Sequence, residues 1–114
     1  MPTAYVRRVS LKEALSDAEV VTYWRFLMEE ALPAIQKVRG VRSVKVYSGA
    51  GALRADLRIV IDMDDAGVYE RLLVDPQVRS LIAKVYAAWD MQTANQTFLR
   101  EVTPELIRAL SSTG

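Results

Sequence analysis

The 114-residue sequence carries 15 basic and 14 acidic side chains, for a formal net charge of +1, and 51% of its residues are hydrophobic. This composition is typical of a globular domain and differs from that of disordered or low-complexity chains. The charges are interspersed, without the cluster of lysine and arginine that follows a phosphate backbone. We therefore expect one domain over residues 1–114 and no nucleic-acid partner.

Cysteine and histidine are both absent from the sequence. Their absence excludes disulfides, iron–sulfur clusters, thiolate or histidine ligation of zinc, histidine-ligated haem and imidazole acid–base catalysis. We expect no cofactor and no metal. Neither a signal-peptide pattern nor an apolar run of about 18 residues is present. Together with the lack of cysteine, this predicts a soluble, cytoplasmic protein without a membrane partner.

The first half of the chain reads as a strand, a helix and a second strand. β-Branched and aromatic residues favour a strand over Thr3–Leu11. Ser16 and Glu19 have the spacing of a capping box, and apolar residues then recur every three or four positions until near Gly40. Pro33 lies inside this helical pattern, which predicts a kink or two abutting helical pieces. Residues 41–48 are predicted to form the second strand.

The second half begins with a predicted hairpin loop, "GAGA" at residues 49–52, and a third strand over residues 53–64. Asp64 or Asp65 is expected to cap a short helix, and Asp75-Pro76 to start another helix whose apolar stripe reaches Trp89. A fourth strand is predicted over residues 93–102, followed by a short helix over residues 104–111 and a tail at 112–114. The third strand alternates an apolar face, Leu53, Ala55, Leu57, Ile59, Ile61 and Met63, with a more polar face, Arg54, Asp56, Arg58, Val60 and Asp62.

The predicted order of elements is βαββαβ. In this split βαβ arrangement two helical layers cover one face of a four-stranded antiparallel sheet, which defines an α+β, ferredoxin-like fold. The other face of such a sheet stays exposed, so we expect a homodimer in which two sheets face one another.

Several sequence features resemble the dimeric α/β-barrel superfamily. They are Trp24, the Leu32-Pro33 step, the run "VRGVRSVKVY" and the Asp75-Pro76 break. The resemblance covers nearly the whole chain and implies that the Leu-Pro step turns the end of the helix onto the second strand. Its members include cofactor-independent monooxygenases, polyketide cyclases, muconolactone isomerases, haem-binding proteins and stress-response proteins, so it implies an architecture rather than a reaction.

Two departures from the superfamily pattern narrow this range. Branches that resemble the ether-degradation proteins have a histidine just before the Leu-Pro step, where this chain has Ala31. Haem-binding branches rely on a histidine ligand that this chain lacks. The resemblance therefore does not extend to either of these functions.

The candidate ligand-binding residues are aromatic side chains and a few polar ones. Flat rings between the helices and the sheet could hold an aromatic or polyketide-like molecule, although ordinary core packing explains the same pattern. The aromatic candidates are Tyr23, Trp24, Tyr47, Tyr86 and Trp89, with Tyr5 on the first strand. The polar candidates are Arg7, Asn95 and Gln96. Trp24 and Trp89 are expected on the inward stripes of the two main helices, close to each other.

The acidic residues have simpler interpretations than metal binding or catalysis. Asp62, Asp64 and Asp65 could chelate a hard cation, but aspartates at a strand-to-helix junction usually cap the helix. Glu29 and Glu30 could act as acid or base only if buried.

Two function classes remain open on the sequence alone. The first is a small-molecule binding protein or a cofactor-independent enzyme, of the oxygenase, cyclase or isomerase type, that uses an apolar cavity between helices and sheet. The second is a non-catalytic homodimeric module for structure or interaction. A cavity with converging polar groups favours the first class, and a filled interior favours the second.

Overall fold

A computed structural model of the chain describes residues 1–49 and 53–112. Four strands, β1 (Thr3–Leu11), β2 (Val41–Tyr47), β3 (Leu57–Met63) and β4 (Trp89–Arg100), form one antiparallel sheet in the order β2-β3-β1-β4. Helical segments connect β1 to β2 and β3 to β4 and pack on one side of the sheet. The predicted α+β, ferredoxin-like βαββαβ fold is therefore confirmed.

The strand register separates the sheet into two faces. Tyr5 lies opposite Ile61 and Phe98, and the next residue, Val6, lies opposite Val60 and Thr97. Because side chains alternate along a strand, the Tyr5 row and the Val6 row point to opposite sides. The buried residues of β3, Leu57, Ile59, Ile61 and Met63, lie on the Tyr5 side, which is the face that the helices cover.

The first helical segment begins with the predicted capping box. Ser16 Oγ accepts from the Glu19 backbone N–H at 3.1 Å, and Glu19 Oε1 accepts from the Ser16 N–H at 2.9 Å. These two hydrogen bonds satisfy donors that a helix start leaves unpaired. Helix α1 then runs over Asp17–Phe26.

A π-helical turn, Leu27–Ala31, separates α1 from α2 (Leu32–Gln36). Pro33 is the second residue of α2. Pro33 has no N–H, and in a regular α-helix its ring would clash with the carbonyl four residues earlier. In the wider π turn the Leu32 N–H donates to the carbonyl of Leu27, five residues back, so the backbone is already displaced before the proline. The predicted interruption at the Leu-Pro step is thus a π turn between two helical pieces.

The second helical layer consists of α3 (Val68–Val74) and α4 (Pro76–Ala87). Asp75 caps α4 as predicted, because its Oδ1 accepts from the Val78 N–H at 2.9 Å. The formal cap of α3 is Gly67, whose N–H donates to Asp65 Oδ1 at 2.8 Å, so Asp65 stabilises the turn before the helix rather than its first residues.

Three predicted boundaries are wrong. β3 begins at Leu57 rather than at residue 53, because Leu53 and Asp56 have φ angles of 61° and 54°, which an extended strand does not allow. β4 begins at Trp89 rather than at residue 93. Trp89 therefore belongs to a strand and not to the stripe of α4, which ends at Ala87 because the chain enters the sheet there. Of the predicted loop at residues 49–52, only Gly49 lies within the described residues.

The core lies between the sheet and the helical layers. Its most deeply buried large side chains come from β1, the π turn, β3, α3 and β4: Val9, Leu27, Leu57, Met63, Val68 and Trp89. Each large apolar side chain removed from water contributes about 1.5–3 kcal/mol. The core therefore holds both helical segments on the same face of the sheet.

The last helix, α5 (Pro104–Ser112), has no buried residue. Thr103 caps it, since Thr103 Oγ1 accepts from the Leu106 N–H at 3.1 Å. None of the described helices combines the length and the apolar character that crossing a membrane requires.

Candidate functional site

A cavity of about 80 Å³ lies between the sheet and the second helical layer. We call it the α4 cavity. Its floor is formed by side chains of β1 and β3, and Tyr69, Leu72 and Leu73 of α3 lie at one side. Trp89 of β4 closes the other end. The floor consists of Tyr5, Arg7, Ile59 and Ile61, and the cover consists of Val78, Leu81, Ile82, Val85 and Tyr86 of α4.

The cavity exists because α4 packs only loosely on the sheet. Val78 is the one residue of α4 that is buried, and Leu81, Ile82, Val85 and Tyr86 are half-buried although they face the cavity. The hydrogen bond from the Tyr23 hydroxyl to the Val85 carbonyl holds the last turn of α4. The half-buried side chains of Leu81 and Ile82, between this bond and Val78, are therefore the part of the cavity wall that is easiest to displace.

Aromatic rings form much of the cavity wall. The Tyr5 ring lies 4.8 Å from the Tyr69 ring and 5.0 Å from the Phe98 ring, and Tyr86 lies 4.8 Å from Trp89, measured between centroids. These distances and the tilted ring planes fall in the range of favourable aromatic contacts. The wall offers flat apolar surfaces on two sides of the cavity.

Three polar groups meet beside the floor of the cavity. Gln96 Oε1 accepts from the Tyr5 hydroxyl at 2.9 Å and from Arg7 Nη1 at 2.8 Å. The register places Arg7 directly opposite Gln96 on the inner face, with Tyr5 two positions along β1. A single amide oxygen therefore joins the tyrosine hydroxyl to the guanidinium.

Arg7 lies over two aromatic rings. Its Cζ is 5.3 Å from the Trp89 centroid and 5.7 Å from the Tyr86 centroid, within the range of a cation–π contact. Its Nε atom is buried and has no hydrogen-bond partner among the described residues. Among the residues that the structure describes, Arg7 is the one ionic side chain that lines the α4 cavity, and no carboxylate lines it.

Burial raises the pKa of two tyrosines in this region. For Tyr5, removal from water is the largest cause, and the neighbouring Tyr69 adds to it. For Tyr23, burial again raises the pKa, and the hydrogen bond from Trp89 lowers it by less. Both hydroxyls are therefore neutral donors over the whole physiological pH range.

The structure brings together some of the candidate residues and separates others. Arg7, Tyr86 and Trp89 line the α4 cavity. Tyr23 lies behind Trp89, with its hydroxyl 2.7 Å from the Trp89 Nε1 that donates to it. This ring is part of the core, although its hydrogen bond orients a residue of the cavity wall.

The other three candidates lie away from the α4 cavity. Trp24 is half-buried, and its Nε1 donates to the carbonyl of Leu53 at 2.8 Å, so it holds the segment before β3. Tyr47 and Asn95 pair in register with Arg58 and Arg8 on the outer face of the sheet. Trp24 is therefore not adjacent to Trp89 in the cavity wall, contrary to the expectation from helical periodicity.

Tyr69 is the cavity residue that the sequence reasoning missed. It sits in a short helix between two turns, where no long apolar period could indicate its direction. Tyr5 and Gln96 were considered, and the alternation of β1 places Tyr5 on the same face as Arg7. The pairing of β1 with β4, which adds Gln96, involves residues about 90 positions apart and leaves no local pattern.

The acidic candidates have separate partners. Asp62 Oδ2 accepts from Ser43 Oγ at 2.8 Å, and Asp64 pairs with Arg42 at 2.7 Å. Glu29 and Glu30 are exposed. Within residues 1–49 and 53–112, no group of three or more acidic side chains is arranged to hold a metal ion.

No protein-family model matches the sequence, and neither does any curated protein. Solved structures do share its architecture. Rv0793 from Mycobacterium tuberculosis is 16% identical, with a TM-score of 0.69 over 90% of this chain and 97% of that chain. A dimeric protein of unknown function and ferredoxin-like fold from Bacteroides fragilis is 12% identical, with a TM-score of 0.72 over 88% and 96%.

A third similar structure is SnoaB, a cofactor-independent oxygenase from Streptomyces nogalater. It is 12% identical, with a TM-score of 0.65 over 90% of this chain and 97% of that chain. At these identities the likeness shows the fold alone. The class that it defines is that of ferredoxin-like proteins.

Proposed function

We propose that this chain is a small-molecule binding protein that holds a compact, mostly apolar ligand in the α4 cavity. The observation that carries the proposal is the buried Arg7 Nε, a hydrogen-bond donor without a partner, beside the aromatic rings of Tyr86 and Trp89. A site with apolar walls and a few convergent polar groups is the usual form of a ligand pocket. A filled structural core leaves few such donors unpaired.

The size of the cavity restricts the ligand. A cavity of about 80 Å³ is smaller than the roughly 150 Å³ of an apolar cavity that takes up benzene. A single aromatic ring therefore enters only if half-buried side chains of α4, such as Leu81 and Ile82, move outward. The proposed ligand has one ring, or a ring-sized portion that enters the cavity.

We propose further that the chain catalyses a cofactor-independent reaction of the oxygenase, cyclase or isomerase type on this ligand. The fold shared with SnoaB supports it, because that protein is a cofactor-independent oxygenase. The neutral Tyr5 hydroxyl, which donates to Gln96 Oε1, supports it as well, because a bound molecule that replaces this acceptor receives the hydrogen bond.

We also propose that the chain forms a homodimer through the outer face of its sheet, as a dimeric α/β barrel. Val6 and Val60 lie side by side at the centre of this face, with no element of the described chain packed over them. Charged and polar residues surround them and could pair with a second copy. The face comprises Ala4, Val6, Arg8, Lys45, Tyr47, Arg58, Val60, Asp62, Asn95, Thr97 and Leu99. The dimeric Bacteroides fragilis structure supports this proposal.

The alternative function, a homodimeric module without a ligand, shares this interface and differs only at the α4 cavity. A cavity-filling variant distinguishes the two. Ala31 is buried and borders the cavity, so Ala31→Leu extends a side chain into empty space. We expect one-ring aromatic compounds to quench the fluorescence of wild-type Trp89, and Ala31→Leu to abolish this quenching while the protein melts no earlier.

Two results would contradict these proposals. If no one-ring compound changes the tryptophan fluorescence or the melting temperature of the wild type, the non-binding module is the better account. If light scattering at micromolar concentration gives the mass of one chain, the dimer proposal fails. A dimeric mass that Val60→Glu converts to the monomeric mass supports it.

A further inference from the structure

The positive charge of Arg7, in the floor of the α4 cavity, has no counter-charge among the described residues. Arg7 forms no salt bridge with any described residue, whereas Arg8, the next residue on the opposite face, pairs with Asp56 at 2.7 Å. The lining of the cavity contains no carboxylate. A half-buried guanidinium without an anion is unusual, because removing a charge from water is costly unless the charge is paired.

The surroundings of Arg7 restrain its guanidinium. Nη1 donates to Gln96 Oε1 at 2.8 Å, and Cζ lies 5.3 Å from the Trp89 centroid and 5.7 Å from the Tyr86 centroid. These contacts restrain the side chain before any ligand arrives, so little conformational entropy is lost when a ligand binds. The Arg7 side chain lines the cavity, so a ligand bound there can pair with its guanidinium.

From these observations we propose that the ligand of the α4 cavity is a planar oxyanion, whose carboxylate or phenolate group binds Arg7 while its ring lies against Tyr86 and Trp89. The inference rests on the proposed function and adds the charge of the ligand to it. An oxyanion supplies the negative charge that Arg7 lacks among the described residues. A neutral ring would bury Arg7 more deeply without compensating its charge.

The polar residues beside Arg7 fit the same ligand. The Tyr5 hydroxyl keeps its proton and donates a hydrogen bond to Gln96 Oε1, so it places no negative charge beside Arg7. The acidic side chains that form ion pairs among the described residues all lie outside the cavity lining. No group in the lining therefore repels an anion.

The test compares two one-ring probes of similar size, the anion benzoate and the neutral benzyl alcohol. A carboxylic acid is ionised at neutral pH, whereas the alcohol is not. We expect the wild type to bind benzoate at least about tenfold more tightly than benzyl alcohol, since a charge-assisted hydrogen bond has this magnitude. Both affinities follow from tryptophan fluorescence titrations at fixed ionic strength.

Variants assign the preference to Arg7. Arg7→Met keeps a long side chain but removes the charge, and we expect it to lose the preference for benzoate while it still binds benzyl alcohol. Arg25→Met is the matched control, because Arg25 is exposed on α1 and its loss changes the net charge equally. It should keep the preference.

The outcomes distinguish the oxyanion inference from the proposed function. Equal binding of both probes by the wild type overturns the oxyanion inference and leaves the proposed function in place. Binding of neither probe overturns both. A preference for benzoate that survives in Arg7→Met, or that disappears in Arg25→Met as well, shows that Arg7 is not its source. The comparison of the two probes on the wild type holds even if Arg7→Met does not fold.

Discussion

Trp89 Nε1 donates a hydrogen bond of 2.7 Å to the hydroxyl of Tyr23, and that hydroxyl donates in turn to the carbonyl of Val85 at 2.9 Å. The pair joins the first residue of β4 to α1 and to the last turn of α4. Trp89 is 1% exposed and Tyr23 is 7% exposed, so water cannot replace either partner. The two residues set the position of the Trp89 ring at the end of the α4 cavity.

We expect Tyr23→Phe to destabilise the protein by about 1–3 kcal/mol, because it leaves the buried Trp89 N–H without an acceptor. Denaturant unfolding followed by circular dichroism measures this change. Tyr47→Phe is the control: Tyr47 is 53% exposed on the outer face, and removing its hydroxyl should change the stability by less than about 0.5 kcal/mol. Equal effects of the two variants would show that the Tyr23 hydrogen bonds contribute little.

The two tryptophans should differ in their contribution to stability. Trp89→Ala empties a fully buried site and is expected to cost about 3–5 kcal/mol. Trp24 is half-buried and bonded to the Leu53 carbonyl, so Trp24→Ala should cost about 1–2 kcal/mol. Unfolding free energies of both variants under the same conditions test this ranking, and a reversed order would contradict the packing described above.

High pH should weaken the folded state through Tyr5 and Tyr23. Burial raises the pKa of both above the ordinary value of 10.0. Above about pH 10 the unfolded chain loses these protons while the folded chain keeps them, so the stability present below that pH decreases as the pH rises. Melting temperatures between about pH 9 and about pH 11 should therefore fall less steeply for Tyr5→Phe/Tyr23→Phe than for the wild type. Parallel curves would contradict this assignment.

Gly40 is expected to tolerate no side chain. Its φ is +96°, and a Cβ there would lie 2.6 Å from Cγ2 of the fully buried Val68. Gly40→Ala should cost about 1–3 kcal/mol from backbone strain, in addition to the clash. Gly67→Ala is the control, because Gly67 has φ −65° and a new Cβ would meet only the end of the Asp65 side chain. Similar losses of stability in the two variants would contradict this reading of Gly40.

The parts of the fold that depend on local patterns were predictable from the sequence. The alternation of β3 beyond residue 56, the Ser16–Glu19 capping box and the Asp75-Pro76 start of α4 each involve neighbouring residues. Pro33 predicts an interruption of the first helix. The form of this interruption, a π turn before the proline, depends on how the helix packs on the sheet.

The site was less predictable because it depends on contacts between distant segments. Helical spacing assigned Trp89 to α4, since the apolar period of that helix continues through the residue, yet the chain enters β4 there. The sequence indicates Tyr47 and Asn95 as ligand-binding candidates by residue type alone. Only the register shows that they lie on the outer face. The partnerless Nε of Arg7 follows from side-chain positions that no sequence pattern encodes.

Amide chemical-shift mapping with a one-ring aromatic compound locates the ligand without any variant. Binding in the α4 cavity predicts saturable shifts that cluster at Arg7, Tyr69, Tyr86 and Trp89. The outer-face residues Val60 and Leu99 should stay unchanged. A complete absence of shifts, or shifts confined to the outer face, would contradict it.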